Sequence, residues 1–284
     1  MRHMVLSIAL LATTVAVAQE SQGDLSESKG GLHGIVGATW DSQYIWRGFN
    51  VFNNDVIHGN NAAHALVDLN LFDTGFGVSA VGHQSLSDAF GQLQRWDGTV
   101  YYQNGLFGGE TLATNFRLGY VYYYYPKLNY GLTQDLMEGH VVLSWPNLLP
   151  IKGLQPSYAF AYMLPGMKNH WAEYENADFG DNSTGMFHIA MLDYAFTVPA
   201  PLASMDDQAI KLHSEVVYNS GVSPFGNEVK SGFSDAVVGA STDFAFGPGR
   251  NIILTPAIYY QFSIEETVNP DNELWGGISL KYAF

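Results

Sequence analysis

The sequence predicts an all-β protein: a single transmembrane, antiparallel, up-and-down β-barrel of about twelve strands, of the outer-membrane type. Three features point there. Apolar and polar residues alternate over runs of roughly ten, aromatic residues collect at the ends of those runs, and the chain stops on such a run at Phe284.

Composition narrows the field. Among 284 residues, 17 Tyr, 17 Phe and 6 Trp rule out a disordered chain, which has few aromatics and many charges. The net charge of -15 and the lack of a basic stripe argue against nucleic-acid binding. Only 14% of residues are charged, against about 25% in ordinary soluble domains, so something other than water is expected to cover part of the surface. With no cysteine, no disulfide framework holds the fold.

Residues 1–18 read as a cleaved secretory signal. Arg2 and His3 precede an apolar run from Met4 to Val15, and Ala16-Val17-Ala18 supplies small residues for cleavage. The run ends at Gln19-Glu20, short of the about 20 apolar residues a spanning helix needs. Residues 19–31, QESQGDLSESKGG, read as a flexible periplasmic segment, and 32–284 as one barrel without an internal linker.

In order, strands are expected near 33–47, 61–72, 74–85, 94–106, 114–125, 134–145, 154–164, 186–198, 209–219, 233–246, 251–264 and 273–284. The last is the clearest: Leu274, Ile278, Leu280, Tyr282 and Phe284 share one face, and Trp275, Gly277, Ser279, Lys281 and Ala283 the other. Ala63, Ala65, Val67, Leu69 and Leu71 likewise oppose His64, Leu66, Asp68 and Asn70. Segment 186–198 breaks the rule, because its phase switches near Leu192 and either His188 or Asp193 faces the wrong way unless a bulge intervenes.

A soluble sandwich would turn the apolar stripes inward; a membrane barrel turns them to lipid and encloses the polar ones. Four features choose the barrel. Most even-numbered connections, such as 72–74 and 246–250, are short, whereas the longest, 165–185, falls on the expected outer side. Aromatics mark both strand ends: Phe72, Phe76, Phe116, Trp145, Tyr158, Phe196, Phe246, Tyr282 and Phe284 at one, Tyr44, Trp46, Trp96, Tyr122, Tyr124, Tyr162, Tyr218, Tyr260 and Phe262 at the other. Tyr282 and Phe284 also resemble the C-terminal signal that the barrel-assembly machinery recognises. Finally, the polar stripes hold many ions, each costing several kcal/mol, roughly, if buried dry and unpaired. The expected pore-lining set is Asp41, Arg47, His64, Asp68, Arg95, Asp97, Arg117, Glu138, His140, Lys211, His213, Glu215, Asp243 and Lys281.

The run Ser42-Gln43-Tyr44-Ile45-Trp46-Arg47-Gly48 resembles the S-x-Y-x-x-R-G segment of porin-like proteins of the TorF family, and the strand from Ala63 to Phe72 is similar to that family's second one. The likeness covers roughly residues 36 to 72. It implies an outer-membrane barrel for passive diffusion, with no catalytic residue to carry over. Arg47 is the motif residue with obvious chemistry, and a structural salt bridge, to Asp41 or an adjacent strand, weighs at least as much for it as solute binding.

Other chemistries fare worse. His83-Gln84-Ser85 is a partial match to barrel phospholipases, but it lacks the Asn-Gly that follows their serine, and His83 phases inward. His64, His140 and His213, with Glu138 and Glu215 close in sequence, could share a metal but read better as wetted lumen residues. Glu173, Glu175, Asp178 and Asp181 lack the spacing of a calcium loop, and favour a solvated outer loop or one folded into the lumen as a constriction. No cofactor is implied. The expected function is a narrow channel for small hydrophilic solutes or ions, embedded in outer-membrane lipid. A non-conducting structural or ligand-binding barrel is the alternative, and a surface lipid-modifying enzyme a distant third. Twelve strands enclose less than the bore of porins with about 16–18, so conductance should be small.

Overall fold

The structure is a computed structural model that describes residues 31–52, 61–86, 94–126, 135–166, 181–200 and 207–284. The expected signal peptide, nearly all of the 19–31 segment and residues 167–180 of the long connection lie outside the described residues.

Among the described residues fifteen strands follow in order: β1 (His33–Asp41), β2 (Ile45–Trp46), β3 (Phe49–Asn50), β4 (Ala62–Asn70), β5 (Phe76–Ser85), β6 (Gln94–Leu106), β7 (Thr114–Tyr124), β8 (Leu136–Ser144), β9 (Leu154–Pro165), β10 (Gly185–Val198), β11 (Gln208–Asn219), β12 (Gly232–Thr242), β13 (Phe244–Phe246), β14 (Ile252–Ser263) and β15 (Glu273–Ala283). Thirteen form one antiparallel sheet, and the pairings of β1 with β15 and of β12 with β14 close it. A closed sheet has no unpaired edge, the condition for crossing lipid with strands. β13 continues the path of β12 after a break at Asp243, since both pair with β14. The wall is therefore twelve strands around.

Period-2 alternation decides which face each side chain takes. On β15, Leu274 is 61% exposed and Ile278 50%, whereas Trp275 between them is 3% exposed. Greasy residues face outward around the whole wall. Phe72, Phe76, Phe246 and Phe284 are exposed near the end with the short turns, and Trp96, Tyr124, Tyr162 and Phe262 near the end with the longer connections. Rings at these two levels suit a bilayer's two interfaces.

Two expectations about the wall need correction. The first strand ends at Asp41, not at residue 47, and the chain then leaves the wall. Tyr44 and Trp46, expected in the outer aromatic girdle, are instead 3% and 1% exposed inside the barrel. In β10 no phase switch occurs: Phe187, Ile189, Asp193 and Ala195 are all buried inward, and pairing to both neighbours is continuous. His188 is the residue that faces out. It tolerates that side because Tyr158 Oη lies 2.6 Å from its Nδ1 and the Phe160 and Tyr218 rings flank it. The described register shift falls between Val217 and Tyr218, where β11 meets β12.

Candidate functional site: the bore and its hairpin

Residues 42–52 fold into the barrel. Ser42 keeps the wall as an anchor, its N–H donating to Gly276 O and its Oγ accepting from Gly276 N. β2 and β3 then pair as a two-residue hairpin, Ile45 with Asn50 and Trp46 with Phe49. Its turn residues, Arg47 and Gly48, have φ of 50° and 91°, the pair of positive values that a primed hairpin turn requires. Gly48 also lacks room for a side chain: a Cβ there would lie 2.5 Å from Asp235 Oδ1. The Arg-Gly of the sequence motif is thus a turn, and its tightness comes from Asp235 on β12.

The hairpin is held from several strands. Arg47 Nη1 lies 2.7 Å from Glu138 Oε2 on β8, and Nη2 donates to Oε1 at 2.9 Å. Burial works against the Arg47 charge, but Glu138 beside it more than offsets this and the guanidinium holds its proton more tightly than usual. Glu138 also accepts from Tyr123 Oη at 2.8 Å and His140 Nδ1 at 3.1 Å. The Arg47 guanidinium lies between Trp46 and Phe187, 4.6 and 4.8 Å from the ring centroids. Gln261 donates to Gly48 O, and Asn50 to Glu273.

Tyr44 stacks on His83 with 4.9 Å between centroids and meets His64 at the same distance. These two histidines share a hydrogen bond, Nδ1 to Nδ1, at 2.7 Å. Their outer nitrogens approach carboxylates, His64 to Asp41 and His83 to Asp97, each at 3.1 Å. Asp97 in turn takes a two-pronged bond from Arg95, both contacts 2.6 Å. The chain Asp41, His64, His83, Asp97, Arg95 therefore runs across four strands, β1, β4, β5 and β6, beneath Tyr44. His83 and Ser85 face inward at 2% exposure, away from lipid, which removes them as a surface lipolytic pair.

Toward the turn end the bore is more polar. Asp193 and Glu215 grip His213 at 2.7 and 3.3 Å. Lys211 bonds Asp243, which also accepts from Thr255 at 2.7 Å. Lys281 is buried and acts on Asp243 electrostatically. Tyr101 Oη donates to Asp68 at 2.6 Å, and Arg117 stacks on the Tyr101 ring.

The expected pore-lining strand residues all sit in the interior. Arg47 does too, but from the hairpin turn and not from the wall, and its salt-bridge partner is Glu138. His64, His140 and His213 do not come together; each has its own carboxylate, and among the described residues no three metal-binding side chains converge. Sequence reasoning missed what the hairpin does with Tyr44, Gly48, Tyr123, Gln261 and Glu273. Gly48 after a charged residue was the available signal. Asp193, ambiguous in the sequence, belongs to the His213 clamp.

Fold and interior together define the class: a twelve-stranded antiparallel membrane barrel of the outer-membrane type, whose bore is occupied by a hairpin from its own first connection. Among solved structures, the chain is similar to the KdgM porin at 9% identity, with 88% of this chain and 99% of that one covered and a TM-score of 0.50. It is equally similar in fold to a NanC porin structure, at 10% identity over 88% and 98%, with a TM-score of 0.50. No protein-family model and no curated protein matches the chain.

Proposed function

We propose that the protein is a narrow outer-membrane channel for small hydrophilic solutes or ions, with the 42–52 hairpin as its resident constriction. The observation that carries this is the inside-out wall: apolar side chains outside, and Asp, Glu, Arg, Lys and His side chains within. Ions on the inner face have a use where water and solutes pass. The Ser42–Gly48 motif supports kinship with the TorF family, since its Tyr, Arg and Gly are the residues that seat the hairpin. Export through residues 1–18 and assembly through Tyr282 and Phe284 complete this reading. Planar-bilayer recording of the purified protein tests it: small, discrete current steps are expected, and their absence across salt and voltage would remove the channel.

One observation favours a second reading. At the hairpin level Trp46, Tyr123, Glu138, Phe187, Arg95 and Gln261 are each under 2% exposed, so little space remains there. A non-conducting structural or binding barrel would give no steps even after the hairpin is unseated, whereas an occluded channel would then conduct.

A further inference from the structure

Arg117 is the anomaly of the interior. It is 2% exposed, and none of its three guanidinium nitrogens has a hydrogen bond among the described residues. By contrast, Arg47, Arg95 and Lys211 are held by Glu138, Asp97 and Asp243. Five N–H donors cut off from water and from acceptors are expensive to keep. A group in that state calls for an explanation such as an absent ion or ligand.

The side chain is nevertheless fixed. Its guanidinium carbon stands 3.6 Å from the Tyr101 ring centroid. The Tyr101 ring lies over Gly77, where an added Cβ would come 2.1 Å from Cζ, and its hydroxyl is tied to Asp68. Asp68 acts on Arg117 electrostatically without a hydrogen bond to it. Gly77, Tyr101 and Arg117 thus form a stack that holds a planar charged fork, buried on the inner side of the wall, between the hairpin and the turn end. Ser157 Oγ and Gln155 Nε2 are among the other buried atoms that lack a hydrogen bond among the described residues. Ser157 pairs across from Ser144, and Ser144 from Asn115, two residues from Arg117.

We propose that Arg117, on its Tyr101 platform, is the docking point for a small oxyanion, a carboxylate or a phosphate, reaching it from the turn end of the bore. Such groups match the guanidinium fork with two parallel hydrogen bonds, and Ser157 and Gln155, two strands away on β9, are buried on the same inner face. The proposal rests on the channel reading for the route of entry alone.

Binding is therefore measured without conduction, by calorimetric titration of the folded barrel in detergent with inorganic phosphate, with gluconate, and with uncharged sorbitol as the comparison. Saturable binding of phosphate or gluconate, with none of sorbitol, is expected, and whichever anion binds identifies the source of the oxyanion. Arg117→Gln should weaken it by roughly tenfold or more, and Arg117→Lys by a smaller factor, because the charge stays and the fork is lost. Arg250→Gln, the same charge change in the exposed 247–251 turn, should leave it unaltered. If Arg117→Gln does not assemble, Arg117→Lys decides. Failure of both anions to bind the unaltered protein, or affinity unchanged in the assembled Arg117 variants, overturns the proposal. Binding without current steps would instead fault the channel reading.

Discussion

Arg47 in the hairpin turn and Glu138 on β8 form an ion pair 2.7 Å long inside the barrel, both side chains at 1% exposure or less. Removing one partner of a buried pair leaves the other charged and unsolvated, at about 3–5 kcal/mol. Glu138→Ala should therefore unseat the hairpin, seen as larger or noisier current steps in planar bilayers. Arg47→Ala with Glu138→Ala together should do less harm than the two single changes summed, because no orphan charge remains. Conductance unaltered by Glu138→Ala would mean that the hairpin is not what narrows the bore.

Gly48 gives an independent handle on the same element. A side chain there meets a left-handed backbone, costing about 1–2 kcal/mol, and a wall carboxylate at 2.5 Å. Gly48→Val should loosen residues 42–52 while leaving the twelve-stranded wall intact. Limited proteolysis reads this as cleavage within 42–52 in barrels that still migrate as folded before heating. Protection equal to that of the unaltered protein would show that Gly48 is not needed for the seat.

How much of this was legible in the sequence follows from how each segment is surrounded. β15 was readable because one face meets lipid and the other the bore, so Leu280 and Lys281 cannot trade places. Residues 44–46 were not: the wall encloses the hairpin, so Tyr44, Ile45 and Trp46 are all buried and alternation has nothing to report. The same logic misplaced Tyr44 and Trp46 in an outer girdle. Inward-facing residues such as Arg95 and Asp97 followed from period alone. Which partners they found, His83 beside Asp97 or Glu138 beside Arg47, depends on register and on the hairpin, both set by tertiary packing.

Lys281 tests whether the bore's charges meet moving ions. It sits on β15 near Asp243, which Lys211 also contacts. Lys281→Glu exchanges a cation for an anion on the inner face and should raise permeability to cations over anions. The reversal potential under a salt gradient reads the change directly. No shift would place Lys281 outside the conducting path.

Ile278 decides the premise that the apolar face meets lipid. It is 50% exposed on the outer face of β15, midway between the two ends of the strand. On a water-soluble barrel, lysine at such a position would be almost neutral, since exposed substitutions usually stay within about 0.5 kcal/mol. Against acyl chains near the bilayer midplane the same change costs about 2–4 kcal/mol. Ile278→Lys should therefore lower the midpoint of urea unfolding in phospholipid vesicles markedly and reduce the yield of assembled barrel. Equal unfolding midpoints for the variant and the parent would mean that this face does not meet lipid.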